Sequence, residues 1–310
     1  KQALVDVLDR DAGLAFLYPE VNGYGPLRES ISSFILENYN KSINMDQIII
    51  TSGGQQGLDL ISKSLINQGD CILLENPTYS AAFSAFKSRG AKIIGIQMME
   101  DGIDIEALSS YVKRFKPKFI YIMTNYQSPT TYSYSREKKL ELLRLAMEYD
   151  FYIIEDDFLT DLYFDNDIKT PIISLDKFDK VIYIKSFSKI FMPGVRIGFV
   201  TLPNKLMKGI IKAKHATDIS SSGYLQRAFD LYLRKGLWRG HIDKIRNVYS
   251  EKYNITIKHL ETLKKYGIEY TEPNGGLSIW LKLPKTIDAL ELYNRCTENN
   301  VSIVSGKVFF

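Results

Sequence analysis

Short runs of apolar residues alternate along the chain with longer segments in which apolar residues recur about every 3.6 positions. The short runs are continuously apolar, which is typical of strands covered on both faces. They predict strands at 48–51, 71–74, 92–96, 119–123, 151–154, 181–184 and 197–201. The longer segments predict helices that include 55–66, 79–89, 105–115 and 135–149.

Strands that alternate with helices of ten or more residues favour βαβ units. The predicted fold is therefore α/β, with three layers and a mostly parallel central sheet. Asp104 and Ser135 stand where helix N-caps are expected, and Gly69 and Gly90 stand where helices should stop.

The pattern changes after residue 203. One long helical pattern covers 237–265, and a Pro-Asn-Gly-Gly turn then precedes a predicted strand at 277–281. We expect three parts. They are an N-terminal segment with an entry helix (1–40), a large α/β domain (41–203), and a helical connection with a small α+β domain (204–310).

Composition excludes several classes of protein. The 310 residues carry a formal net charge of +4 with acidic and basic residues mixed, which does not favour nucleic-acid binding. No apolar run is long enough for a membrane span, and no signal peptide opens the chain. The three histidines lack metal-ligand spacing, and two isolated cysteines favour a reducing, cytoplasmic location: His215, His241, His259, Cys71 and Cys296.

The chain begins at Lys1 rather than at a methionine and stops on the apolar run Val308–Phe310. We therefore expect further residues at both ends.

The sharpest chemical motif follows the predicted strand 181–184. Ser186, Ser188 and Lys189 precede a Pro-Gly turn and Arg196. Hydroxyls and a guanidinium suit a phosphate, while a lysine near a cation and in a buried place has a lowered pKa that suits imine formation. The plain alternative is a polar loop with a chance lysine, which the joint spacing disfavours.

Residues 51–57 join a strand to a helix through Gly53 and Gly54. Glycines let the backbone approach a ligand closely, and the helix N-terminus offers free N–H groups to an anion. A Gly-Gly turn alone is weak evidence. The motif also lacks the lysine of a P-loop, which argues against a nucleotide triphosphatase.

Acidic residues end one strand, and tyrosines follow another. The carboxyl ends of parallel strands face ligands, so Asp156 in Glu155–Asp157 could pair with a ring nitrogen or could simply cap a helix. Tyr79 could stack on an aromatic ring or pack on the surface. Tyr18 and Tyr24 leave the same two possibilities open.

Taken in order, these motifs resemble the fold-type I pyridoxal 5'-phosphate (PLP) enzymes, the aspartate aminotransferase superfamily of class I/II. The resemblance is greatest to 2-aminoadipate-type aminotransferases and to the effector domains of MocR-type regulators of the GntR family. It extends from about Tyr18 to Phe310 and includes the stretches 23–28 and 236–242.

The resemblance implies a role for each motif. Lys189 would hold PLP as a Schiff base and move the substrate proton, and Asp156 would pair with the pyridine nitrogen. The backbone of Gly54 and Gln55 would cradle the phosphate. Three side chains would complete this cradle: Ser186, Ser188 and Arg196.

Two tyrosines complete the implied site. Tyr79 would stack on the cofactor ring, and Tyr18 would reach the phosphate of a neighbouring subunit. The resemblance therefore implies a homodimer.

The chain departs from the family pattern at one cofactor oxygen. The family often has Asn-Pro-Thr-Gly where this chain has Ser128 to Thr131, and Ser128 replaces the asparagine that bonds the PLP phenolate. Phe158 stands where the MocR branch usually has a tyrosine. We expect altered tuning of the cofactor and weakened catalysis.

The family's arginine for the substrate carboxylate would lie beyond Phe310. Four arginines of the later part of the chain do not match it: Arg234, Arg239, Arg246 and Arg295.

Four functions can be considered for a chain with these motifs. The first is amino-group transfer between an amino acid and a 2-oxo acid. The second is an amino-acid sensor in a transcriptional regulator, which would bind DNA only if a winged-helix module preceded Lys1. The third is a PLP lyase or decarboxylase with the same motifs. A PLP-free nucleotide-binding protein is disfavoured because the chain lacks Gly-x-Gly-x-x-Gly.

Overall fold

A computed structural model describes residues 2–165 and 168–310 of the chain. Ten α-helices are described: α1 (Gln2–Asp11), α2 (Gly25–Tyr39), α3 (Gly54–Leu65), α4 (Ser80–Lys87), α5 (Ile105–Phe115), α6 (Arg136–Glu148), α7 (Asn204–Asp218), α8 (Gly223–Arg234), α9 (Leu237–Glu261) and α10 (Ala289–Glu298). The described strands are β1 (Ile48–Thr51), β2 (Cys71–Asn76), β3 (Lys92–Met99), β4 (Gly102–Ile103), β5 (Phe119–Ile122), β6 (Tyr152–Asp157), β7 (Val181–Ser186), β8 (Gly198–Thr201), β9 (Glu269–Tyr270) and β10 (Leu281–Lys282).

Eight strands form the central sheet in the order β1-β8-β7-β6-β5-β2-β3-β4. The pairs from β7 through β6, β5 and β2 to β3 are all parallel. β8 runs antiparallel to both β1 and β7, and β4 runs antiparallel to β3. The prediction of an α/β fold with a mostly parallel sheet is confirmed.

Helices cover both faces of the sheet, which explains the continuous apolar runs. Side chains alternate between the faces along each strand, so Ile120 and Tyr121 belong to opposite hydrophobic clusters. The cluster with Tyr121 includes residues of α3, α4 and α7, and we call its side of the sheet the α3 face. The other cluster includes residues of α2, α5 and α6.

The predicted helix signals are confirmed at several ends. Asp104 Oδ1 accepts a hydrogen bond from the Ala107 N–H at 3.0 Å, and Ser135 Oγ accepts one from Lys138 N–H at 3.2 Å. The small domain differs from the prediction, because the strand expected at 277–281 begins only at Leu281 and pairs with β9.

The parallel strands end together at one edge of the sheet. The ends of β2, β5, β6 and β7 therefore bring their following loops to one region. Within residues 2–165 and 168–310, no helix is both long and apolar enough to cross a membrane, and no cluster of His, Cys, Asp and Glu could hold a metal ion.

Candidate active site

Hydrogen-bond donors suited to an anion lie at the N-terminal end of α3 and in the loop after β7. We call this group the anion cradle; it consists of Gly54, Gln55, Ser186, Ser188 and Arg196. The first N–H groups of α3, at Gly54 and Gln55, have no partner inside the helix and carry its positive dipole end. Arg196 lies beside them, because its Nη2 donates to the Ser52 carbonyl at 2.8 Å. Its Nη1 lies 3.3 Å from Ser188 Oγ, so the guanidinium joins the two loops.

The remaining hydroxyl of the motif shapes the same cradle. Ser186 Oγ accepts a hydrogen bond from the Ser188 N–H at 3.3 Å. A Cβ added to Gly54 would lie 3.5 Å from Ser186 Cβ and 3.9 Å from Asp156 Oδ1. The predicted phosphate and ring-nitrogen residues are therefore brought together.

Glycine is required at position 53 by the backbone conformation there and by the side chain that lies against it. Its φ is +89°, and a Cβ there would lie 2.6 Å from Arg196 Nη2. Any side chain at this position would push the guanidinium away from α3.

One row of backbone pairing connects the two loops of the cradle. Thr51 of β1 pairs with Gly198 of β8, and Gly198 pairs in turn with Ser186 of β7. A Cβ at Gly198 would lie 2.7 Å from the Lys185 carbonyl oxygen and 3.1 Å from Gly53 C. Glycine at this position lets the three strands approach one another.

Asp156 lies at the end of β6 on the α3 face and is buried. Burial raises the pKa of its carboxyl to about 6, although the hydrogen bond from the Tyr121 hydroxyl lowers it. With this pKa the carboxyl is mostly ionised at neutral pH, and a carboxylate can hold the proton of a pyridine nitrogen. The structure therefore places an acid of suitable chemistry beside the anion cradle.

The neighbouring acid, Asp157, faces the opposite side of the sheet. Its Oδ2 accepts from Lys185 Nζ at 3.0 Å and from the Tyr183 hydroxyl at 2.5 Å. Burial acts to raise the pKa of Asp157, but Lys185, Tyr183 and the Thr160 N–H outweigh burial and lower it. The strand thus separates a structural carboxylate from the one that faces the cradle.

Tyr79 lies near Asp156 at the N-terminus of α4. The residue is 37% exposed, and the pKa of its hydroxyl is raised first by burial and then by the negative charge of Asp156. Ser128 lies further along the same edge, where it lines a groove of about 1080 Å³ together with Pro129. The groove continues along α9 and the segment 275–310.

Lys189 lies in the turn that follows β7, between Ser188 and the buried Ile190. Its side chain is exposed, so the burial that we expected for this lysine is wrong. The turn nevertheless begins at Ser186 and ends before Arg196, and Lys189 therefore projects from the same loop as the cradle.

Tyr18 is not brought to the cradle within one chain. Its side chain is 82% exposed, and its neighbours Leu17 and Pro19 lie against Gly223 at the start of α8. Its role toward a second subunit stays a prediction.

Three residues that support the site were not predicted from the sequence: Tyr121, Glu75 and Gln127. Tyr121 lies in a continuous apolar run, where no pattern separates it from core tyrosines. Gly53, by contrast, was predicted together with Gly54, because it precedes a helix directly after a strand.

A mostly parallel sheet with an anion cradle on α3 and a buried acid on β6 defines a PLP-binding protein of fold type I. The solved structure of kynurenine aminotransferase from Pyrococcus horikoshii, in complex with PMP, superposes with a TM-score of 0.93. It is 33% identical, and the match covers 100% of this chain and 78% of that chain.

The chain belongs to the aminotransferase class I and II family, whose model matches residues 1–310. The aromatic-amino-acid aminotransferase 1 of Thermococcus litoralis is 32% identical over 98% of this chain and 74% of that protein. The 2-aminoadipate transaminase of Thermus thermophilus is 30% identical over 100% and 77%. The family is enzymatic and uses PLP.

Regulators also match the chain. The HTH-type transcriptional regulator YdfD of Bacillus subtilis is 30% identical over 95% of this chain and 61% of that protein. The expected resemblance to both branches, 2-aminoadipate transaminase and regulator, is confirmed.

The residues at the site fit PLP. A phosphate needs donors and positive charge, which the N-terminus of α3 and Arg196 supply. A pyridinium nitrogen needs a carboxylate to accept its proton, which Asp156 could supply, and the glycine at 53 leaves the cradle open.

Proposed function

We propose that this protein transfers an amino group between an amino acid and a 2-oxo acid, with PLP bonded to Lys189. One observation carries the proposal. Arg196, the N-terminus of α3 and the buried carboxyl of Asp156 converge beside the turn that bears Lys189. Membership of an enzymatic aminotransferase family supports it.

Each residue has a stated task in this proposal. Gly54 and Gln55 donate backbone N–H groups to the phosphate, and Arg196 neutralises its charge. Ser186 and Ser188 complete the cradle with their hydroxyls. Together they fix the cofactor's orientation toward the substrate.

Asp156 keeps the ring nitrogen protonated, and Tyr79 stacks on the ring. PLP, when bound, supplies an electron sink for the bonds at the Cα of an amino acid. Lys189 would act as the base that takes up and gives back the proton at that Cα. Its exposed position leaves the amine accessible to substrates.

A second candidate function is an amino-acid sensor. The regulator relatives favour it, and so do Ser128, which is shorter than the family's asparagine, and Phe158, which lacks a hydroxyl, because both changes fall on one cofactor oxygen. The response of the bound cofactor to single amino acids separates the two functions.

Three coarser features belong to the same proposal. We propose the division into 1–40, 41–203 and 204–310. We also propose a homodimer in which Tyr18 completes the neighbouring site, since this side chain is exposed. A cytoplasmic location is supported by the free thiols of Cys71 and Cys296.

The test is the visible spectrum of the purified protein with PLP. We expect an absorption band that Lys189→Ala abolishes and that the matched variant Lys208→Ala, at an exposed site on α7, retains. Conversion of the band by a single amino acid to that of the aminated cofactor supports transfer. A shifted band that persists favours the sensor, and a wild type without any band refutes both.

A further inference from the structure

A single buried side chain joins the two loops that carry Tyr79 and Ser128. Gln127 Nε2 donates to Glu75 Oε2 at 3.0 Å and to the Pro77 carbonyl at 2.9 Å. Its Oε1 accepts from the N–H and the hydroxyl of Thr130 at 2.9 and 2.6 Å. All four hydrogen-bonding positions of the amide are therefore used, two toward the end of β2 and the loop that follows it, and two toward Thr130.

Glu75 holds the other end of this bridge. Its carboxyl is 1% exposed and accepts from the Met123 N–H at 3.0 Å and the Tyr134 hydroxyl at 2.8 Å, besides Gln127. Burial raises its pKa to about 8, although these three donors lower it.

Among the described residues, Glu75 forms no ion pair with a lysine or arginine. Burying such a carboxyl costs stability, and the cost is not offset by a cation. A costly polar group directly behind a ligand site is a candidate for a functional role.

The bridged loops leave neighbouring parallel strands. The loop after β2 contains Pro77 and Tyr79, and the loop after β5 contains Ser128 and Thr130. Gln127 therefore sets the spacing between the side chain proposed for the cofactor ring and the one proposed for its phenolate oxygen.

We propose that Gln127, anchored by Glu75, is a positioning residue that holds these two loops at the separation that PLP requires. This inference rests on the proposed function. Misplacement of a binding group by about 1 Å costs up to about 100-fold in rate, so an unbridged pair of loops would bind the cofactor less well.

The test compares Gln127→Met with Tyr134→Phe. Methionine matches the length of glutamine but makes none of the four hydrogen bonds. The control also removes a hydrogen bond from Glu75, yet it leaves the link between the loops intact. Both variants are expected to lower the melting temperature.

Only Gln127→Met is expected to change the loops. In PLP-free protein, amide hydrogen exchange at 78–79, 128 and 130–131 should accelerate about tenfold, and the Kd for PLP should rise about tenfold. Tyr134→Phe should stay within about twofold of wild type in both. The two variants could lose the same melting temperature while Gln127→Met keeps the hydrogen exchange and the PLP affinity of wild type. In that case Gln127 would have only a structural role.

Thr130→Val serves if Gln127→Met does not fold. It removes one of the four hydrogen bonds of the Gln127 amide. Hydrogen exchange and the Kd for PLP should therefore both rise about two- to threefold, less than in Gln127→Met. Wild-type values in this variant would overturn the proposal. Hydrogen exchange is measured without PLP, so it tests whether Gln127 holds the loops even if the wild type binds no cofactor. A wild type that binds no PLP would refute the proposed function but not this role of Gln127.

Discussion

The hydroxyl of Tyr121 donates a hydrogen bond to Asp156 Oδ2 at 2.8 Å across the pair β5–β6, on the α3 face of the sheet. Both side chains are buried. Burial favours the neutral acid, whereas the donor favours the carboxylate, and the resulting pKa of Asp156 is about 6. Tyr121 therefore helps to keep the proposed partner of the ring nitrogen ionised.

Tyr121→Phe is expected to raise the pKa of Asp156, because a hydrogen bond to a charged group is worth about 1.5–3 kcal/mol. The loss of PLP affinity toward acid pH should then begin at a higher pH, and the affinity near pH 6 should fall several-fold. Carbon NMR of labelled aspartate in the PLP-free protein measures the pKa directly.

Tyr183→Phe is the matched control, since Tyr183 donates to Asp157 on the opposite face. It should leave the titration of Asp156 close to that of wild type. Equal shifts in the two variants would contradict a specific role for Tyr121.

Asp156→Asn is expected to stabilise the PLP-free protein, and more so at pH 8 than at pH 5. The pKa of Asp156 is raised from 3.8 to about 6, so the wild type loses stability as pH rises through this window. The amide removes that loss, and the gain should grow by about 1 kcal/mol between the two pH values. Urea unfolding measures it.

Asp157→Asn should have the opposite sign. The pKa of Asp157 is lowered, so its carboxylate contributes stability that is present above about pH 4 and is lost in acid. Loss of its charged hydrogen bond to Lys185 should cost about 1.5–3 kcal/mol at pH 8, because Lys185 keeps a second carboxylate partner, Asp161, at 2.6 Å. A gain in stability from this variant would invalidate the assignment of the two faces.

The fold could be predicted from the sequence where local patterns and packing agree. The run 119–122 is apolar on both faces, and Asp104 caps α5 as its position indicated. The end of β6 was missed, because Glu155–Asp157 are acidic and continue the strand only through partners that lie far away in the sequence.

The sequence predicted which motifs form the candidate site, but it did not predict the contacts between distant residues that support them. Lys189, Asp156 and Arg196 stand in recognisable surroundings along the chain. The link from Gln127 to Glu75 spans 52 positions, and neither residue shows its partner in the local sequence. The exposure of Lys189 likewise depends on the packing of its loop rather than on its neighbours in sequence.

Gly53→Ala is expected to weaken PLP binding at least about tenfold and to destabilise the protein by about 1 kcal/mol or more. The new Cβ would meet Arg196 and displace it from the Ser52 carbonyl. Isothermal titration with PLP measures the first effect, and thermal unfolding measures the second.

Gly69→Ala separates the two effects, because Gly69 has φ +87° and a Cβ added there would meet nothing within 4 Å. It should cost similar stability and leave PLP affinity unchanged. A loss of affinity in both variants would show that general strain, and not Arg196, is responsible.

Ser128→Asn is expected to lower the pH midpoint of the visible absorbance change of the bound cofactor by about one unit. The longer amide can donate to the phenolate oxygen and stabilise its negative charge. Phe158→Tyr should act in the same direction, and Ser33→Asn, at an exposed site on α2, should not. An unchanged midpoint in both site variants would refute the expected tuning.

The row formed by Thr51, Gly198 and Ser186 limits which changes in chain length the protein can tolerate. A strand's side chains alternate with a period of two, so one residue inserted directly before Gly198 would reverse the faces of the residues of β8 that follow it. The same insertion would move Gly198 out of line with both β1 and β7. The lysine loop and the anion cradle would be lost together, although every helix and strand could still form.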